Sequence, residues 1–226
     1  MSKIILAIDL TDIEKALKIT KKIKNKIFTV KLGLEFFNSN GKDGVKKFND
    51  IGINNLMLDL KLNDIPQTVY KSIKALQDIK FEYLTVHALG GNEMIKQAKK
   101  AANELDLNIK ILAVTVLTSI SKEELAKMGT SATIEDMVIQ LAKNSSDADG
   151  YIASALEAKL LKEKMSKDKI IFCPGIRMPH DSKDDQARTT TPSLALKNGA
   201  DAIIMGRSLL NGDINKNLEK VLNSIK

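Results

Sequence analysis

Apolar, β-branched runs alternate with amphipathic helical patterns along the chain. Strand-like runs lie at Lys3–Asp9, Ile27–Lys31, Asn55–Lys61, Tyr83–His87, Ile109–Val116, Gly150–Ser154, Lys169–Cys173 and Ala202–Met205. Between them, the periodicity predicts helices at about 12–24, 65–79, 92–104, 121–128, 133–144, 155–165, 192–198 and 214–225, and a broken helical region over 33–50. Asp12 supplies an N-cap for the first helix. This alternation implies an α/β fold with a parallel sheet and right-handed crossovers. Eight such units in 226 residues favour a closed (β/α)8 TIM barrel over an open sheet, and nothing resembling a linker interrupts them, so residues 1–226 read as a single domain.

One stretch breaks the apolar rule. In 56–69, Leu56, Leu58, Leu60 and Leu62 share one strand face, and Met57, Asp59 and Lys61 share the other. Opposite charges thus sit side by side where a barrel strand points inward. Asp64 follows, and Pro66 ends the strand and permits a helix to begin. Charge in such a place needs a partner or a task.

Active sites of barrels lie at the C-terminal strand ends. The polar residues expected there are Asp9, Lys31, Asp59, Lys61, His87, Thr118, Ser119, Arg177, Gly206 and Arg207. Any one is explained equally well as a satisfied polar terminus, but the whole set is not. Lys31, Asp59, Lys61 and Asp64 form an alternating charge group in which a lysine held between carboxylates stays a cation and can donate a proton to a carbanion. A buried ion-pair network that only holds the barrel mouth together is the competing explanation. Gly206-Arg207-Ser208 follows the eighth strand, where barrels often bind phosphate, and Arg177 would reach the same place. The loop 175–191 is long, polar and aperiodic, as expected for a lid, and carries Gln186, a neutral bidentate group. For Arg188, in the same loop, a plain surface position is the competing explanation. His87 reads as a hydrogen-bonded structural residue, His180 as exposed and Cys173 as core.

Composition narrows the classes. The net charge is +7, yet only Arg177, Arg188 and Arg207 are arginines. Arginine kept against a strong lysine bias suggests planar, multidentate binding of phosphate or carboxylate. The lysines are mixed with acids along helices and few aromatics accompany them, so no nucleic-acid partner is expected. No apolar run reaches membrane-spanning length, no signal-peptide pattern opens the chain, and a single cysteine fits a reducing compartment, so a cytoplasmic protein is expected. No metal-ligand spacing, P-loop or Gly-x-Gly-x-x-Gly occurs.

The segment Asp59-Leu-Lys61-Leu-Asn-Asp64-Ile-Pro66-Gln-Thr68 closely resembles the Asp-x-Lys-x-x-Asp-Ile-Pro-x-Thr signature of the orotidine 5′-phosphate decarboxylase family. Further matches are Ala7-Ile-Asp9, Val30-Lys31-Leu-Gly33, Thr85-Val-His87-Ala-Leu-Gly-Gly91, Val114-Thr-Val-Leu-Thr118-Ser119, Pro174-Gly-Ile-Arg177, Gln186-Ala-Arg188 and Met205-Gly-Arg207. Leu62-Asn63 and Leu89 stand where other residues are common. The resemblance implies a (β/α)8 homodimer that converts orotidine 5′-phosphate to UMP and CO2 without a metal or organic cofactor. It further implies that Asp9 binds the ribose, that Lys31, Asp59 and Lys61 form the charged network with Lys61 as proton donor, and that Asp64 and Thr68 enter the neighbouring subunit's site. By the same resemblance, Thr118 and Ser119 face the pyrimidine, Arg177, Gly206 and Arg207 hold the phosphate, and Gln186 links phosphate to base. Two rivals remain: a metal-dependent sugar-phosphate decarboxylase or aldolase-like enzyme of the same suprafamily, and a non-catalytic nucleotide sensor.

Overall fold

Eight apolar runs become eight parallel strands that pair in sequence order, the last also with the first, closing a barrel. The computed structural model describes residues 2–105, 108–179, 181 and 188–225. The strands are β1 Ile4–Ile8, β2 Thr29–Gly33, β3 Met57–Leu62, β4 Tyr83–His87, β5 Lys110–Val114, β6 Gly150–Ile152, β7 Ile170–Cys173 and β8 Ala202–Met205. Helices α1 Ile13–Ile23, α2 Leu34–Asp50, α3 Pro66–Lys74 and α4 Gly91–Glu104 follow the first four strands. Two helices, α5 Lys122–Lys127 and α6 Ile134–Lys143, lie between β5 and β6. Then come α7 Ala158–Lys164, α8 Pro192–Lys197, the single turn α9 Arg207–Leu210 and the terminal α10 Ile214–Ser224.

Local chemistry explains the boundaries. The Asp12 carboxylate accepts from the Lys15 amide at 3.0 Å, opening α1. Ser121 and Glu124 form a reciprocal capping box on α5. The broken helical region is one helix kinked at Gly41, whose φ of 57° only glycine adopts readily. Two expectations shift. The helix expected to reach residue 79 ends at Lys74, and 76, 77 and 79 continue in tight turns bonded to the residue three before. Ile73, Leu76 and Ile79 are all buried, and a repeat of three suits that tighter winding. β2 runs to Gly33, so Lys31 lies mid-strand rather than at its end.

Two apolar clusters divide the molecule. The larger fills the space between sheet and helices. The smaller lies inside the barrel and contains Ile5, Ala7, Met57, Leu112, Val114, Ile152 and Ile204 among others. Phe28 and Tyr83 each pack edge-on with Phe172 and lie tilted at 52° to each other, with ring centroids 5.1–6.0 Å apart, and fill the lower interior. At Gly150 a Cβ would fall 2.2 Å from the Ile170 carbonyl oxygen, so β6 can approach β7 only as glycine. Among the described residues, no helix is long and apolar enough to cross a membrane.

Candidate active site

Met57 and Tyr83 keep the lower interior apolar, and the inward positions above them turn polar. Asp9 follows β1, Lys31 lies on β2, Asp59 and Lys61 on β3 and Thr85 on β4. Lys31 Nζ sits 3.1 Å from Asp59 Oδ2 and 3.4 Å from Asp9 Oδ1. Lys61 Nζ sits 2.8 Å from Asp59 Oδ1. Thus four expected residues meet in one chain of alternating charge. Gly33 makes room for it, since a Cβ there would lie 3.0 Å from Lys31 Nζ and 3.2 Å from Asp9 Oδ1.

Burial opposes charge on both inner members, and pairing outweighs it. Burial pushes the Asp59 carboxyl up, but Lys31 and Lys61 pull it down further, to about 2, so it stays ionised across the neutral range. Burial likewise pushes the Lys31 ammonium down, and Asp59 and Asp9 leave it above its ordinary value. His87 is held below its usual value by burial and then by the Lys61 charge, and its Nδ1 accepts from the Leu89 amide at 3.3 Å, as expected of a structural histidine.

β3 is irregular where the charges lie. Leu58 pairs with Leu84 and Leu62 with Val86, so four steps along β3 match two along β4. Lys61 adopts a φ of 47°, one of two positive values at non-glycine residues among those described. That conformation costs an L-residue roughly 1–2 kcal/mol. Such bulges and strained residues gather at functional sites.

The charged chain forms one wall of a cavity of about 240 Å3, lined also by Val114, Val116, Thr118, Ser119, Ile152, Pro174, Arg177, Ile204, Gly206 and Arg207. The cavity lining therefore combines the ion-paired chain, apolar side chains and two arginines. A Cβ at Gly206 would make only ordinary contacts, the nearest being Ala7 Cβ at 3.4 Å, so the protein's own packing does not demand glycine there. The helix after it, Arg207–Leu210, is a four-residue turn.

Of the two explanations for Arg188, carboxylate binding holds and a surface position does not. It is 9% exposed; Nη1 lies 2.8 Å from Glu157 Oε1, and Nη2 donates to the Val116 and Leu117 carbonyls at 3.1 Å each. Its amide donates to the Thr118 carbonyl at 3.2 Å, tying the foot of the 175–191 loop to the segment bearing Thr118 and Ser119. Arginine's planar fork reaches a carboxylate and two carbonyls at once, which lysine does not. Glu157, 2% exposed, is pushed up by burial and drawn partly back by Arg188. Removing one partner of a buried pair costs ~3–5 kcal/mol, so Arg188→Met is expected to lower Tm by roughly 6–20 °C in thermal unfolding. Glu157→Gln/Arg188→Met is expected to recover part of that loss, because no charge is then stranded; a double variant no better than the single would refute the pairing.

Asp64 and Thr68 do not join the cavity. Both are exposed, and Asp64 Oδ1 accepts from the adjacent Ile65 amide at 2.7 Å. Gln186 lies outside the described residues. Sequence reasoning gave no role to Thr85, Glu157 or Gly33, although Thr85 and Gly33 stood within the matched motifs. A hydroxyl in an apolar strand was the available signal for Thr85.

The chain matches over residues 2–220 the model of the orotidine 5′-phosphate decarboxylase / HUMPS family. It is 40% identical over 210 residues to the orotidine 5′-phosphate decarboxylase of Fusobacterium nucleatum, covering 92% of this chain and 88% of that one. It is 42% identical over 214 residues to that of Lactobacillus johnsonii, covering 91% of each. The crystal structure of orotidine 5′-phosphate decarboxylase from Lactobacillus acidophilus superposes with a TM-score of 0.83 at 36% identity, over the full length of both chains. With the same barrel and a family match over nearly its whole length, the chain belongs to the orotidine 5′-phosphate decarboxylase / HUMPS family.

Proposed function

We propose that this chain is a carboxy-lyase that decarboxylates orotidine 5′-phosphate to UMP and CO2 in pyrimidine biosynthesis, with Lys61 as proton donor and without a metal or organic cofactor. The observation that carries the reading is the chain Asp9, Lys31, Asp59, Lys61 lining one cavity together with apolar side chains and two arginines. Arg177 and Arg207 hold the phosphate, Asp9 the ribose, and Thr118 and Ser119 the pyrimidine. Cleavage of the C6–carboxylate bond releases CO2 and leaves its electron pair on C6. The Lys61 ammonium stabilises that charge as it grows, then transfers a proton to C6, giving UMP and a neutral amine that solvent reprotonates. The carboxylates at the mouth are already engaged by lysines, which favours a reaction driven by those cations rather than by a bound metal.

Completion of the site by a second subunit belongs to the same reading. Leu34, Ile65 and Leu89 are exposed large hydrophobics in the segments after β2, β3 and β4, which are neighbours in the barrel. Asp64 and Thr68 flank Ile65 on the same exposed segment. An apolar patch carrying unused polar groups suits a homodimer whose subunits exchange Asp64 and Thr68. The test is the absorbance change of orotidine 5′-phosphate with and without a chelator. Formation of UMP and CO2 at an unchanged rate is expected. Loss of turnover on chelation would point to the metal-dependent relatives, and tight UMP binding without CO2 release to a sensor.

A further inference from the structure

We infer that Thr85 is a positioning residue for the proton donor: from the strand opposite the β3 bulge, its hydroxyl fixes the Lys61 backbone and the Asp59 carboxylate to each other. The inference rests on the role proposed above for Lys61. Where β3 slips against β4, regular pairing resumes only at Leu62 with Val86. Within the slipped segment the Lys61 amide donates to Thr85 Oγ1 at 2.9 Å. The same hydroxyl donates its one proton to Asp59 Oδ1, also at 2.9 Å. Asp59 Oδ1 is in turn the oxygen that Lys61 Nζ touches at 2.8 Å. The two ends of Lys61 thus close on one carboxylate oxygen through Thr85.

The direction of each bond is fixed. An amide N–H only donates and an ionised carboxylate only accepts, so the hydroxyl has a single orientation that serves both. Thr85 is fully buried and does not line the cavity, so it acts through the groups that do. Lys61 is held at a φ of 47° that few L-residues adopt, and a buried acceptor for its amide is what keeps that conformation in place. Without it the ammonium's anchor remains, but the backbone that aims it is released.

Valine matches threonine in shape and lacks both bonds; serine keeps the hydroxyl. Thr85→Val is expected to lower kcat about 30-fold with KM within about threefold, since a displacement near 1 Å can cost on the order of 10² in rate. Thr85→Ser is expected to return most of that rate. In parallel, hydrogen exchange of the Lys61 amide, followed by NMR, should accelerate in Thr85→Val and stay slow in Thr85→Ser. A valine variant with wild-type kcat, or one whose losses follow ligand affinity and Tm rather than kcat, overturns the inference. So does a Lys61 amide indifferent to the substitution. If the wild-type chain fails to decarboxylate orotidine 5′-phosphate, the functional reading fails, while the amide exchange still decides the geometry.

Discussion

Lys61→Ala is expected to lower kcat for orotidine 5′-phosphate by at least about 10⁴-fold, while a UMP analogue binds within about tenfold of its wild-type affinity. Two losses combine: the cation that stabilises charge on C6 and the proton that quenches it. Neither is needed to hold the nucleotide if, as proposed, its phosphate meets Arg177 and Arg207, which line the same cavity. Folding should be little changed, because alanine meets the same backbone conformation and Asp59 keeps Lys31 at 3.1 Å. With one of its two lysines gone, Asp59 is expected to rise from about 2. Lys61→Arg should not restore turnover, since a guanidinium keeps the charge and does not release a proton. Substantial turnover in Lys61→Ala would remove the proton-donor assignment. The same variant also tests the shared site. Mixed with Asp64→Ala chains, it should regain about a quarter of wild-type activity, the share of sites that are intact when subunits pair at random. No regain on mixing would place Asp64 in its own subunit's site.

What the sequence showed and what it hid follow from the range of the interactions. Alternation of period two placed Met57, Asp59 and Lys61 on one face, and eight repeated units implied the closed barrel; both rest on local pattern. The gathering of Asp9, Lys31, Asp59 and Lys61 followed from barrel geometry, which brings strand ends together whatever their separation in the chain. The bulge in β3 did not show, because it is a mismatch between two strands and neither strand alone records it. Arg188 left two explanations open for a like reason. Its partner Glu157 lies on another unit, and a charged residue in a polar loop looks exposed until that partner is found. The bias toward lysine was the better signal for Arg188, which meets a carboxylate. Asp64 is the converse case: its motif was legible, but a single chain leaves it facing outward.

Arg207→Ala is expected to lower kcat/KM for orotidine 5′-phosphate by about 10²-fold, or ~3 kcal/mol, and to change that for orotidine, which has no phosphate, by less than about threefold. Arg207 opens the turn after β8 next to Gly206, where a Cβ would lie 3.6 Å from Asp9 Oδ2, and Arg177 follows β7; both line the cavity. A guanidinium offers phosphate a fork of donors, and its loss leaves the dianion with one arginine and an incomplete shell. The effect should appear in kcat as well as KM. Phosphate is remote from C6, and binding energy gathered there aids the reaction only if it helps set the charged wall against the pyrimidine. An increase in KM alone would mean that the arginine anchors substrate and transition state equally. Equal losses on orotidine and its phosphate would mean that Arg207 acts on the barrel mouth itself and that the anion is held elsewhere.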